Sequence, residues 1–318
     1  FFRADQFLVS VLSMSHQPMA SQSPMATLQK ALALNLDESS YGTIAEIGAG
    51  QEVARCFFRA GGAAGTIAKS MSAYDMKVSD SIYGEGMRYV SRDRLHKMLS
   101  YEYNLLVDRL ASHRSPQTQF FSFADTVAAR SFKTKGEGHG WMGISLQLYP
   151  GAEASTLVIH VKMLDETAEA QQDALGILGV NLIYAAYNHW RNPRQLLSSL
   201  KDNLSDGRPR ISIDLVEMTG NCWDGHDSRT LNMYLLEEEL TSAIMFSKAG
   251  QPVLAADELY KKSALVVRGN FQPATILHQD MIKKGLAAFC ESIEEPEDRI
   301  AVLAEISTSP INPSPSSA

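Results

Sequence analysis

The fold is decided by a strand-turn-helix unit, Thr43-Ile44-Ala45-Glu46-Ile47-Gly48-Ala49-Gly50-Gln51-Glu52-Val53. Apolar and β-branched residues end at Ile47, two glycines follow, and a helical pattern continues from Gln51 to Arg59. A strand that passes through a glycine turn into a helix is the building unit of α/β proteins. The pattern therefore predicts an α/β fold.

The same turn has features of a nucleotide-binding site. Glycine permits close approach of a ligand, and the helix N-terminus offers backbone N–H donors. The third glycine of the dinucleotide fingerprint is absent, because Val53 occupies its place, and an acidic residue before the turn is typical of methyltransferases that bind S-adenosylmethionine. The candidate cofactor-binding residues are Glu46, Gly48, Gly50 and Gln51. A structural turn with a helix cap is the alternative.

A second glycine segment, Gly61 to Gly65, precedes Lys69 and Ser70. It resembles a phosphate loop in composition but not in spacing, because Lys69 is not adjacent to a glycine. Lys69 is a candidate anion ligand, and a flexible connection between helices is the alternative. Asp75 follows no convincing second strand, so the acid that would bind a ribose lacks its usual position.

The middle of the chain changes to strand patterns. Aromatic and β-branched runs cover residues 118–124, 141–149 and 155–164, and Pro150-Gly151-Ala152 predicts a hairpin between the last two. Helical periodicity follows from Thr167 to Trp190. We therefore expect a mixed α/β (α+β) fold, with a central mixed sheet that includes an antiparallel meander and is flanked by helices.

The meander predicts a cluster of side chains at one sheet edge. The end of its first strand, the start of its second and the end of its third lie side by side, so we expect Asp125, His139, Trp141 and Asp165 to meet. The two carboxylates continue apolar strand faces. With the imidazole they could hold a divalent cation, or one could orient His139 as a general base. Alternatively, both carboxylates only terminate strands, and Asp165 or Thr167 caps the next helix.

Further residues extend this candidate site. Arg130 lies in a basic loop between the first two meander strands and could bind a phosphate, and Trp141 is a candidate substrate contact. Glu217 ends the apolar face of a strand over residues 210–218 and would join the site if that strand is adjacent. The candidate catalytic residues are Asp125, His139, Asp165 and Glu217.

Composition limits the classes of partner. Of 318 residues, 45% are hydrophobic and 20% charged, which is typical of a globular protein. The net charge of −7 without a basic block argues against nucleic acid or an anionic membrane as a partner. The longest apolar run, residues 174–187, is shorter than the roughly 20 residues of a membrane-spanning helix. Three widely spaced cysteines fit a reducing compartment, so we expect a cytoplasmic protein. A small molecule is the candidate ligand, and the oligomeric state is left open.

The ends of the chain are expected to lie outside the fold. Residues 1–24 contain a short apolar run that only faintly resembles a signal peptide. Residues 307–318 are rich in serine and proline, which is typical of disorder. Residues 25–306 are expected to form one globular region, which could consist of a mainly helical part (25–115) and a mixed-sheet part (116–306).

Six segments together resemble an uncharacterised bacterial protein family whose members carry inconsistent names: Glu46–Glu52, Gly61–Thr66, Met71–Met76, Tyr89–Arg92, Phe123–Val127 and His139–Gly143. Some members are called TonB-dependent receptors and others nicotinate-nucleotide adenylyltransferases, and the resemblance covers most of the chain. The first name implies a large barrel of many alternating strands, which this helix-rich sequence does not fit. The second implies nucleotide chemistry with two histidines around a glycine near the first strand, whereas His139 is a single histidine in mid-chain.

Three hypotheses on function follow. The first is a soluble enzyme that binds a nucleotide or other phosphorylated metabolite at the glycine turn and uses the meander edge for chemistry. The second is a non-catalytic binding or scaffold protein, in which the glycines serve packing and the charged edge contacts a partner. The third is an S-adenosylmethionine-dependent methyltransferase, which requires a central parallel strand before the turn.

Overall fold

The computed structural model describes residues 8–12, 25–48, 50–86, 88–130, 138–271 and 273–307. The chain divides into two compact units. One consists of Met19–His226, and the other combines Phe1–Pro18 with Asp227–Ala318.

The secondary structure alternates strands and helices along most of the chain. The strands are β1 (Leu8–Leu12), β2 (Ser40–Ile47), β3 (Ile67–Ser72), β4 (Gln119–Ala128), β5 (Gly138–Leu146), β6 (Ser155–Met163), β7 (Ile211–Thr219), β8 (Ala243–Phe246), β9 (Pro252–Val253), β10 (Ser263–Arg268) and β11 (Ile300–Ser307). The α-helices are α1 (Thr27–Asn35), α2 (Glu52–Ala60), α3 (Met76–Tyr83), α4 (Arg92–Leu110), α5 (Ala168–Asn188), α6 (Pro193–Ser199), α7 (Ser228–Glu237), α8 (Ala255–Glu258) and α9 (Ile276–Ile293).

The unit Met19–His226 contains a six-stranded mixed sheet with the order β3-β2-β4-β5-β6-β7. β3, β2 and β4 are parallel, and β4 to β7 are successively antiparallel. The expected mixed α/β fold with an antiparallel meander is therefore confirmed. β2 is an interior strand, parallel to β3 and β4 on its two sides, so its position keeps the methyltransferase hypothesis open. β3 was not expected, because Lys69, Ser70 and Ser72 leave it without an apolar alternation.

Helices cover both faces of this sheet. On one face, the Ser122 hydroxyl of β4 donates a hydrogen bond of 3.0 Å to the Leu99 carbonyl of α4. On the other face, α2 and α5 pack together, and the absent side chain of Gly179 leaves the space that Val53 and Phe123 occupy. Val53 is fully buried. The valine that replaces the third fingerprint glycine therefore packs between the helices and the sheet.

The unit that contains both chain ends has a five-stranded sheet with the order β10-β11-β1-β8-β9. β1 lies inside this sheet, parallel to β11 and antiparallel to β8. The expectation that residues 1–24 lie outside the fold is therefore wrong for Leu8–Leu12. The apolar run alone did not predict this strand, because its pairing partners, β8 and β11, lie much later in the chain. The expected tail begins at Ser307, the last residue of β11, and its remainder lies outside the described residues.

The two observed units do not correspond to the expected division into a mainly helical part (25–115) and a mixed-sheet part (116–306). β2 and β4 lie on either side of that division and pair along the sheet from Ser40 to Ile47, so they belong to one unit. Among the described residues, no helix combines the length and hydropathy that crossing a membrane requires. All three cysteines are free thiols.

Candidate functional site

The carboxyl ends of β2 and β4 share one edge of the six-stranded sheet with the start of β5 and the end of β6. His139 of β5 pairs with Ala128 of β4 on one side and with Lys162 of β6 on the other. The expectation that these strand ends meet at one edge is confirmed. Open α/β sheets bind their ligands at the carboxyl ends of parallel strands, so this edge is the candidate site.

The predicted side chains share this edge but not one face of the sheet. Asp125 pairs with Met142, so both lie on the face that α2 and α5 cover. His139 and Trp141 lie on the opposite face, where their rings are 5.6 and 5.0 Å from the ring of His160. The expectation that Asp125 meets His139 and Trp141 is therefore wrong, because side chains alternate between faces and the register places them on opposite sides.

Two buried carboxyl groups lie beneath the glycine turn. Glu46 of β2 and Asp125 of β4 are register partners, and each is 3% exposed. Asp125 accepts a hydrogen bond from the backbone N–H of Ile47 at 3.1 Å. Glu46 accepts two, from the backbone N–H groups of Val53 at 2.9 Å and Ala54 at 3.1 Å. The pair therefore ties both central strands to the first turn of α2.

Burial changes the protonation of this pair. It raises the pKa of Glu46 to about 7, against the hydrogen bonds from Val53 and Ala54 that favour the charged form. Burial, with the nearby charge of Glu46, raises the pKa of Asp125 well above its usual range. Two carboxyl groups in such a position titrate as a unit, and this pair keeps its protons to a higher pH than free carboxyl groups do.

These contacts change the interpretation of the glycine turn. The N–H donors that would bind a phosphate at the start of α2 are already used by the Glu46 carboxylate. Gly48 has a φ of 102°, and a Cβ there would overlap the Val127 carbonyl oxygen, so its glycine is required by packing. Gly50 and Gln51 lie at the entry to α2, and their binding roles stay predictions.

Lys69 lies away from the turn. Its register partner on β2 is Thr43, and its ammonium group is 2.5 Å from the carboxylate of Glu102 on α4. Glu102 is 1% exposed, so the lysine neutralises a buried charge. An anion at the glycine turn would have to compete with this ion pair. The structure thus does not bring Lys69 together with the other predicted cofactor ligands.

Asp165 and Arg130 are brought together at the edge by Gln171 of α5. The Gln171 amide accepts a hydrogen bond from the Arg130 backbone N–H at 2.8 Å and donates one to the Asp165 carbonyl at 2.9 Å. The Asp165 carboxylate lies 2.8 Å from the guanidinium of Arg210, which also contacts Asp173 at 2.9 Å. An ion-pair role therefore accounts for the Asp165 carboxylate.

Glu217 belongs to a different part of the sheet. It lies on the face of α4, 2.6 Å from the Arg92 guanidinium and 3.5 Å from the His96 imidazole. Its strand, β7, is three strands away from the Asp125 strand in the sheet order. Although burial raises its pKa, bonding to His96 and Arg92 lowers the pKa of Glu217 to about 2. The expectation that Glu217 joins Asp125 is therefore wrong.

The sequence analysis missed a histidine–carboxylate pair on the same face as His139 and Trp141. Nδ1 of His160 lies 2.5 Å from a carboxylate oxygen of Asp214, and the ammonium group of Lys162 lies 3.1 Å from the other oxygen. The register between β6 and β7 shifts at His160, and Asp214 lies at this bulge. Bulges often re-aim side chains next to functional sites.

The pair has the geometry of an oriented imidazole. Although burial raises its pKa, bonding to His160 and Lys162 lowers the pKa of Asp214 below its ordinary value. The carboxylate is therefore ionised at neutral pH, and Nδ1 of His160 is the donor. A signal was present in the sequence for His160, which interrupts the otherwise apolar run Leu157–Val161, but not for Asp214, which continues the polar phase that Ser212 begins.

A metal is not supported by the described residues, because no group of three histidine, cysteine or acidic side chains there is placed to hold one. The donors at the edge are instead divided between the two faces. Hydrogen bonding and proton transfer are the chemistry that the described part of this edge offers.

No protein-family model and no curated protein matches the chain. Among solved structures, a competence/damage-inducible protein from Agrobacterium tumefaciens is 16% identical with a TM-score of 0.36, and the match covers 52% of this chain and 98% of that one. A competence-damaged (CinA) superfamily protein from Enterobacter cloacae is 13% identical with a TM-score of 0.38, over 55% and 99% of the two chains. Another from Klebsiella pneumoniae is 12% identical with a TM-score of 0.37, over 52% and 100%. Likenesses at this level carry no argument about function.

Proposed function

We propose that the protein is an enzyme that carries out acid–base chemistry on a nucleotide or other phosphorylated small metabolite. The observation that carries this proposal is the 2.5 Å contact between His160 and Asp214 inside β6 and β7, where the His160 ring lies 5.6 Å from the ring of His139 at the carboxyl edge. His160 is the general base in this proposal, and Asp214 is its positioning residue. Asp214 holds the ring in one tautomer, so that Nε2 faces the substrate as the proton acceptor.

Neighbouring side chains support the binding of a negatively charged substrate. The Trp141 ring lies 5.0 Å from the ring of His160 in an edge-on arrangement. His139 is exposed, and the side chain of Lys162 is 39% exposed while it contacts Asp214. The backbone N–H of Arg130 is fixed by Gln171 at the same edge, which supports a role for this cation in phosphate binding.

The Glu46–Asp125 pair supports this proposal less directly. Its carboxyl groups are buried on the other face and hold the glycine turn in place. We assign the pair a structural role in supporting the edge.

The first experiment is a thermal-shift screen of the full chain against nucleotides, sugar phosphates, S-adenosylmethionine and divalent metals, because a ligand of the native state raises the melting temperature. Any hit is then assayed for turnover with wild type, His160→Gln and the control His113→Gln, an exposed histidine outside the edge. We expect all three proteins to bind the hit and only His160→Gln to lose turnover. Full turnover by folded His160→Gln would refute the assignment.

The scaffold hypothesis remains the second candidate, supported by the ion pairs that account for Asp165 and Glu217. It predicts no hit in the screen and no turnover by any of the proteins. The methyltransferase hypothesis is supported by the position of β2 between two parallel strands and by Asp75, which follows β3. It is weakened by the Glu46 carboxylate on the N-terminus of α2 and by the contact of Asp75 with the Val78 backbone N–H. A shift with S-adenosylmethionine, lost in Gly50→Val, would favour it.

A further inference from the structure

A cavity of about 470 Å³ opens at the other end of the same sheet, away from the candidate site. It lies between the ends of α1 and α5, the first residue of β4 and the segment that follows β5. All of its lining residues belong to the unit Met19–His226. This volume is within the roughly 300–1,000 Å³ range of small-molecule sites. Neither the glycine turn nor the meander edge contributes to it.

Aromatic rings form much of the wall of this cavity, and neighbours hold them in place. The rings of Tyr149 and Trp190 meet edge to face at 6.2 Å, and the Trp190 carbonyl accepts a hydrogen bond from the Trp223 indole at 3.3 Å. Tyr187 packs edge-on against Phe121 at 6.0 Å. The Tyr149 ring is half exposed, so it offers a surface to a ligand. A preformed cavity with fixed aromatic walls favours a flat ring as its occupant.

The fourth ring of the cavity wall, that of Tyr184, lies next to a buried cation. The ammonium group of Lys30 lies 5.4 Å from the centre of the Tyr184 ring, and it is bound by Asp202 at 2.7 Å and Asn181 at 2.8 Å. Lys30 is 2% exposed, so it stiffens the wall and is not itself a ligand group.

One cationic and one anionic side chain at the cavity determine which polar groups a ligand must carry. Arg191 is exposed, its guanidinium lies 4.4 Å above the Trp190 ring, and it contacts the Tyr149 hydroxyl at 3.4 Å. The Asp37 carboxylate accepts hydrogen bonds of 2.7 Å from the hydroxyls of Ser39 and Ser40. Arginine stacked on an aromatic ring is suited to bind a phosphate or carboxylate, and a fixed carboxylate accepts hydroxyl or amino protons.

We infer that this cavity binds an aromatic heterocycle that carries both an anionic group and hydrogen-bond donors, the chemistry of a nucleoside monophosphate. The ring lies against Tyr149 and Trp190, the anionic group faces Arg191, and the hydroxyl or amino groups face Asp37. This site is separate from the proposed catalytic edge and does not depend on it.

The test is calorimetric titration of the full chain with adenosine monophosphate, adenosine and inorganic phosphate. We expect adenosine monophosphate to bind, adenosine to bind about tenfold more weakly, and phosphate alone to give no measurable heat. Arg191→Gln should weaken the nucleotide about tenfold and leave adenosine unchanged. Tyr149→Ala should weaken both. Arg208→Gln is the matched control, because this exposed arginine contacts Glu166 at 3.5 Å outside the cavity.

Several outcomes would overturn the inference. One is a folded wild type that binds none of the three probes. Another is nucleotide binding that Arg191→Gln and Tyr149→Ala leave unchanged. If adenosine binds as tightly as its monophosphate, the ligand needs no anionic group and the inferred role of Arg191 is wrong. Nucleotide binding that is lost in His160→Gln and kept in Arg191→Gln would assign the nucleotide to the candidate edge and leave the cavity without this ligand.

Discussion

His160 of β6 and Asp214 of β7 approach within 2.5 Å of each other at the bulge in the pairing of these two strands. Neither side chain is at a strand end, where polar residues commonly terminate strands. Without the bulge, residues 213 and 215 would lie on the same face of the sheet as His160, and Asp214 would lie on the opposite face. The contact is thus a product of strand pairing, and the proposed role of His160 as a general base depends on it.

The first prediction concerns the positioning role of Asp214. Asp214→Asn should lower kcat at least about tenfold while KM changes little, because the amide no longer enforces one tautomer of His160. His160→Gln should lower kcat by about 10²–10⁴-fold. Proton NMR provides a second measurement, since the hydrogen-bonded Nδ1–H resonance of His160 should disappear in Asp214→Asn. A resonance that persists unchanged would contradict the assigned hydrogen bond.

The second prediction concerns the pH dependence of stability. The pKa of Glu46 is raised from 4.5 to about 7 and that of Asp125 is raised well above its usual value, so the native state retains protons that the unfolded chain releases. Their contribution to stability is complete below about pH 4.5 and is lost as the pH rises through 7. Asp125→Asn should therefore become more stable relative to wild type as the pH rises.

This difference is measured by urea unfolding of both proteins at several values between about pH 5 and pH 8.5. Asp224→Asn, at an exposed loop position, is the control and should show no such trend. A constant difference between Asp125→Asn and wild type across this range would contradict the raised pKa of the pair.

The third prediction concerns Gly48. Gly48→Ala should lower the free energy of unfolding by about 2–4 kcal/mol, because the φ of 102° is unfavourable for alanine and its Cβ overlaps the Val127 carbonyl oxygen. Gly151→Ala is the matched control, since this glycine has a φ of 74° with no atom near its Cβ position. It should cost only about 1–2 kcal/mol. Equal losses in the two variants would show that overlap at Gly48 is absent.

The fourth prediction concerns the contact between α2 and α5. Gly179→Ala should destabilise the protein by about 1–3 kcal/mol, because its Cβ would overlap the Val53 side chain. The double variant Gly179→Ala with Val53→Ala should recover part of this loss, since the smaller residue makes room. Chemical unfolding of the single and double variants measures the coupling. Strict additivity of the two changes would mean that the side chains do not contact each other.

Local patterns in the sequence determined most of the larger unit. The turn after Ile47, the hairpin at Pro150-Gly151 and the long helix α5 all depend on residues close together in the chain, so composition and periodicity predicted them. β3 was not predicted, because Lys69, Ser70 and Ser72 leave it without an apolar alternation.

Tertiary structure alone decided the composition of the candidate site. The sequence brought Asp125, His139 and Trp141 to one edge, but the register of β4 with β5 placed them on opposite faces, because a shift of one residue exchanges the faces of a strand. It likewise decided that Glu46 fills the N-terminus of α2, that Asp214 meets His160, and that Leu8–Leu12 pairs with strands from the other end of the chain. Pairing between distant strands depends on which surfaces can be buried together. The sequence of one segment therefore does not specify the strand with which it pairs.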